Sequence, residues 1–164
     1  MDYPVRDLAE PDIARATHPL FQHLLDTYAS ETNKTASVWR ELRDNQLEFR
    51  PHPKSSTVRE ILKHQILSER RFFAEFIGLP EPPVTGLLPA GETPPVERER
   101  IWVFWRRVLH SAHHRAQISV FLRLLQARVP PTYGPTADVS VSGADPTRTI
   151  ASADRRGPSP GPRG

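Results

Sequence analysis

The 164-residue chain contains no cysteine and one methionine. Without thiols it has no disulfides, no thiolate metal ligands and no cysteine nucleophile, so any thiol chemistry needs a thiol supplied from outside. No apolar run approaches the length that spans a bilayer. Residues 1–11 carry charges and two prolines where a secretory signal needs a continuous apolar core, so a cytoplasmic location is expected. Glycine-rich phosphate loops and Ser-His-Asp nucleophile signatures are missing as well. So are internal repeats and alternating strand patterns of useful length, which leaves all-α as the fold class.

An excess of charge of one sign is also lacking. The formal net charge is +3, but residues 139–164 hold Arg148, Arg155, Arg156 and Arg163 against Asp145 and Asp154, and without them it falls to +1. A near-neutral domain has no electrostatic footprint for a phosphate backbone. The expected partner is therefore a small-molecule substrate, with no specific nucleic acid and no membrane.

What is present is ordinary for one globular domain, with 37% apolar and 25% charged residues. A first helix is expected over about residues 18–45, where Phe21, Leu24, Leu25, Tyr28, Val38, Trp39 and Leu42 follow helical spacing. Thr17 is placed to cap it, and Pro19 falls in its first turn. Residues 29–37 within it are polar and small, which fits either a solvated turn of helix or a bend. The run Arg50-Pro-His-Pro-Lys54 breaks the helix. Thr57 and Glu60 then make a capping-box pattern ahead of Val58, Ile61, Leu62, Ile66, Phe72, Phe73 and Phe76, so a second helix is expected over 57–77. Residues 79–96 contain six prolines and two glycines and are expected to form a loop. A third helix is expected over 97–127, apolar around more than half its circumference and hence enclosed on several sides. Domain boundaries follow: a helical domain over 1–138 and a disordered tail over 139–164 with four prolines, four glycines and four serines.

The chemistry lies in the histidines. His110 and His114 are four residues apart on the third helix, share one face and can hold one metal ion together. A third ligand must come from elsewhere, and His64 on the second helix is the candidate. Three neutral imidazoles leave a coordination position for water or substrate. His113 is also a helical neighbour of His110, so a His110/His113 pair stays open on spacing alone. The row His110, His114, Gln117, Phe121 favours His114 and puts Gln117 one turn away as a supporting group, with His113 as a second supporting candidate on the adjacent face. His18 and His52 are expected in solvent and His23 on the helix surface. Ser111 stands where a His-Glu-x-x-His protease needs its glutamate, and Glu69 lies five residues from His64, off its face. No residue is assigned as catalytic, and the expected chemistry is Lewis acidity or activation of a bound water or thiol.

Five segments in order, Phe49-Arg-Pro-His-Pro-Lys54, Lys63-His-Gln-Ile-Leu-Ser-Glu-Arg70, His110-Ser-Ala-His-His-Arg-Ala-Gln117, Ile118-Ser-Val-Phe-Leu-Arg-Leu-Leu125 and Val129-Pro-Pro-Thr-Tyr-Gly-Pro-Thr-Ala-Asp138, resemble the DinB/YfiT-like superfamily of metal-dependent bacterial proteins. The resemblance implies an up-down four-helix bundle with His64, His110 and His114 as ligands of a divalent ion, zinc or nickel foremost. It implies transferase or hydrolase chemistry on a small molecule, with a low-molecular-weight thiol as one co-substrate. A non-catalytic metal-binding or stress-response bundle is the alternative. Relatives usually place a further helix where this chain has the 79–96 loop. A homodimer partner or a rearranged first helix and loop would cover that gap, or else the chain is an internally deleted, inactive relative.

Overall fold

The structure, a computed structural model, describes residues 8–77 and 100–139. The 79–96 loop, residues 97–99 and the tail from 140 onward lie outside the described residues. The described residues form three α-helices: α1 (Pro19–Trp39), α2 (Val58–Ile77) and α3 (Arg100–Leu124). Among the described residues there is no strand, in agreement with the all-α expectation. α2 runs antiparallel to both other helices, because Gln65 meets Ser111 and Glu69 meets Arg107 while Glu31 meets Arg115 and Leu24 meets Phe104 and Val108.

Local signals explain most of the helix ends. Pro19 opens α1, but the cap is His18, whose Nδ1 accepts the Leu20 N–H at 3.2 Å, and not the expected Thr17. The Thr57/Glu60 capping box closes as expected, with Thr57 N–H donating to Glu60 Oε2 at 2.7 Å and Glu60 N–H to Thr57 Oγ1 at 3.1 Å. α1 stops at Trp39, short of the expected 45. There the chain turns through the short 3-10 turn Asp44–Gln46, pinned by Gln46 Oε1 on the Arg43 N–H at 2.9 Å, so that Leu42, Leu47 and Phe49 fold back onto the core. α3 ends at Leu124, short of the expected 127, with Gln126 in the left-handed region at φ 56° and Ala127 N–H bonded to Leu122 O at 2.9 Å. That is the Schellman ending that glycine favours, made here by glutamine at a cost of roughly 1 kcal/mol.

Val38, Val58, Ile61, Ile118, Phe121 and Leu122 form an apolar core at one end of the bundle, and Leu24, Phe104 and Val108 form a smaller one toward the other. Between them the interior is polar. Glu31, Asn33, Lys34, Thr35 and Ser37, in the stretch expected to be a solvated turn or a bend, lie buried in continuous helix. Asn33, on the far side of α1, bonds to the backbone of Leu8, while Glu31 and Thr35 fall on the same stripe as Leu24, Tyr28 and Val38, which faces α3. Glu31 pairs there with Arg115 at 2.7 Å and with Lys34 at 2.9 Å, and it accepts the Tyr133 hydroxyl at 2.7 Å. Arg115 also donates to the Glu31 carbonyl at 3.1 Å and to the Tyr133 oxygen.

Among the described residues α1 and α2 pack on α3, while Trp105, Leu109, Val120 and Leu124 remain exposed, so the expected enclosure on several sides is not seen there. Val139, where the tail is expected to begin, is fully buried, and its carbonyl accepts the Thr136 N–H at 3.0 Å. The preceding segment is tied down by Asp138, which accepts the Val129 N–H at 2.8 Å and pairs with Arg123 at 2.5 Å. No described helix is long and apolar enough to cross a membrane.

Candidate metal centre

His64 comes from the middle of α2, and His110 and His114 from successive turns of α3. Antiparallel packing of the two helices brings the three rings together. His64 Nε2 lies 2.9 Å from His110 Nε2, and His114 Nε2 lies 3.2 Å from the same atom. One nitrogen from each ring falls within 4.8 Å of the others. Nitrogens held at ~2.1 Å around one tetrahedral ion would sit about 3.4 Å apart, against 2.9 and 3.2 Å for the two pairs that meet at His110. His64 is exposed while His110 and His114 are half-buried, so the cluster opens on the bundle surface.

The hydrogen-bond chemistry of this trio does not close by itself. His114 Nδ1–H donates to Gln117 Oε1 at 2.7 Å, which leaves its Nε2 as a bare lone pair aimed at His110. His110 Nε2 faces two imidazole nitrogens and can satisfy one of them at most. Burial, with the neighbouring His114 and His64, pushes His110 down to about 4, so it is neutral near pH 7. Burial also lowers His114, against the opposing hydrogen bond to Gln117. Neutral rings with converging lone pairs are what a divalent ion needs.

The remaining sequence expectations sort as follows. Gln117 sits where the spacing placed it, on His114. His113 is exposed and meets His114 only ring edge to face, at 4.9 Å between centroids, outside the converging set. His18, His23 and His52 are exposed as expected, His18 with the added role of cap. Ser111 points away from the trio, buried 3.2 Å from Thr35 Oγ1. Glu69 is indeed off the His64 face, but it is not idle: it accepts the Tyr28 hydroxyl and pairs with Arg107 at 2.6 Å.

Sequence reasoning missed Arg107 and the buried charged layer around Arg115. The signal for the second was legible: Leu24, Tyr28, Glu31, Thr35 and Val38 repeat at four, three, four and three residues, so polar side chains continue an apolar stripe. For Arg107 no comparable signal exists, since an arginine at the edge of an apolar face usually reaches solvent.

A family model of the DinB superfamily matches residues 27–103. The match takes in most of α1 and all of α2, including His64, and ends before His110 and His114. No curated protein and no solved structure matches the chain.

Proposed function

We propose that the chain, which carries a DinB-superfamily domain, binds one divalent ion, zinc or nickel, through His64, His110 and His114, and serves transferase or hydrolase chemistry on a small molecule. The observation that carries this reading is the convergence of three ring nitrogens with too few protons to satisfy one another. When bound, the metal would supply Lewis acidity and lower the pKa of a water or thiol in the position the protein leaves free. The chain's own residues prepare the site. Burial keeps His110 and His114 unprotonated, and Gln117 fixes the tautomer and ring angle of His114. Glu69 is committed to Tyr28 and Arg107, so it does not serve as the proton acceptor. With no cysteine in the chain, a thiol nucleophile would be an external one.

Metal analysis of the purified protein tests the reading. One equivalent of zinc or nickel per chain is expected, lost in His64→Ala with the helical circular dichroism retained. Stoichiometric metal persisting in that variant would sink the triad. A cobalt-substituted site whose visible spectrum shifts on adding a thiol favours the catalytic reading over a closed structural ion.

A further inference from the structure

Arg107 lies three residues before His110 on α3, one turn away along the same side, about 4.5 Å of helical rise. Its side chain is only 7% exposed. One nitrogen, Nη2, pairs with Glu69 Oε2 at 2.6 Å, while Nε and Nη1 are buried with no hydrogen-bond partner. His110 Nδ1 is also buried and without a partner. Arg107 Nε and Nη1 are donors at all times, and His110 Nδ1 becomes one once His110 turns its Nε2 lone pair toward a metal, because the ring proton must then sit on Nδ1.

Among the described residues no side chain supplies the acceptors. Residues 100–124 include Arg100, Arg106, Arg107, Arg115 and Arg123 and no aspartate or glutamate. Glu69 is engaged through both oxygens, one with Arg107 and one with Tyr28. Buried cationic N–H groups without acceptors are strongly disfavoured, and histidines that hold a metal almost always donate their second N–H to an oxygen. Adding a divalent ion to three neutral imidazoles raises the local positive charge further. A planar carboxylate matches this demand: it carries one negative charge, has two oxygens for a guanidinium fork, and can take the imidazole N–H as well.

We propose that Arg107 and His110 Nδ1 form a carboxylate-binding site beside the histidine cluster, which receives a carboxylate of the small-molecule ligand. The His110 half rests on the metal reading above; the Arg107 half does not. Because Nε and Nη1 are closed to solvent, entry requires the long Arg107 side chain to rotate, and Nη2 keeps its hold on Glu69 while the other nitrogens turn to the ligand. The site therefore selects small or terminal carboxylates.

Formate is the probe, with chloride at equal ionic strength as control, and thermal melting is followed on metal-free and metal-loaded protein. A saturable rise of about 4 °C or more with formate and not with chloride is expected in the wild type in both states. In the metal-loaded form, formate should also tighten metal binding by ~10-fold through the His110 N–H. Arg107→Gln should abolish the formate response. If that variant fails to fold because Glu69 loses its partner, Arg107→Lys keeps a cation there but removes the Nε and Nη1 donors, and it too should lose the response. A chain that binds no metal but answers to formate would overturn the metal reading and leave the Arg107 site standing. Wild-type melting that does not distinguish formate from chloride in either state overturns the carboxylate site.

Discussion

His114 and Arg115 are consecutive residues on α3, about 100° apart around it, and they belong to polar clusters of opposite kinds. Around Arg115 every charge has a partner from the chain itself. Glu31 faces Arg115, Lys34 and the Tyr133 hydroxyl, and the Lys34 ammonium and Arg115 guanidinium lie 4.8 and 5.0 Å from the centre of the Tyr133 ring. Burial alone would raise the Glu31 carboxyl, but hydrogen bonds from Tyr133, Arg115 and Lys34 outweigh it and hold it below the usual range. The same enclosure pushes the Tyr133 hydroxyl up to about 12, mainly by burial and then by Glu31. Around His114 the inventory does not balance: three ring nitrogens converge without enough protons, and Arg107 and His110 keep buried nitrogens unpartnered. A buried cluster that is complete on its own serves stability and register. The one left incomplete, one residue away on the same helix, is what the proposed ion and carboxylate would complete.

The sharpest way to break this comparison is to remove one member of the complete cluster. Arg115→Ala leaves Glu31 buried with Lys34 as its remaining cation, and should cost about 3 kcal/mol or more in urea unfolding. Metal bound per folded chain should not change. A loss below about 1 kcal/mol would mean that the Arg115 cluster is no better satisfied than the histidines.

A smaller effect, and of the opposite pattern, is expected at Gln117. Gln117→Ala frees the Nδ1–H of His114 and should weaken metal binding by about 10- to 100-fold, as loss of groups supporting metal ligands generally does. Unfolding of the metal-free protein should move by less than ~0.5 kcal/mol. Calorimetric titration of metal and denaturant melts measure both. A change in stability as large as the change in affinity would make Gln117 a packing residue.

The pH response of the metal-free protein gives the mildest separation. His110 titrates at about 4 in the folded chain against 6.5 when exposed, so the unfolded chain takes up the proton first as pH falls. Its contribution is complete above pH 6.5 and is lost as pH drops from 6.5 toward 4. Glu31 is depressed below 4.5, so its contribution is complete above 4.5 and fades in more acid solution. His110→Asn should flatten the upper part of the stability profile and leave the acid limb in place. An unchanged upper slope would show that the histidine cluster is not desolvated.

Much of this was legible in the residues. Proline and threonine signals located the start of each of the first two helices to within a residue, and the i, i+4 spacing of His110 and His114 identified the pair. Gln117 was legible for the same reason: it shares a helical row with them. Errors fell where a local pattern met a distant surface. α1 ends at Trp39 because Leu42, Leu47 and Phe49 gain more by folding back on Phe121 and its neighbours than by extending the helix. Residues 29–37 looked solvated because their side chains are polar, and polarity does not reveal that Arg115 waits 84 residues later to pair with Glu31.

The sequence by itself determined which residues share a helical face, because 100° per residue is a property of the backbone and needs no partner. It therefore settled the all-α class and the capping box, and it favoured His114 over His113 as the partner of His110. Only tertiary structure decided what each face meets. The antiparallel seating of α2 on α3 carried His64 to 2.9 Å from His110, and the packing of α1 on α3 enclosed Glu31 with Arg115. It also left Arg107 buried beside the histidines with two of its nitrogens unpartnered. Such contacts join residues 38 to 84 positions apart, and no local period encodes them.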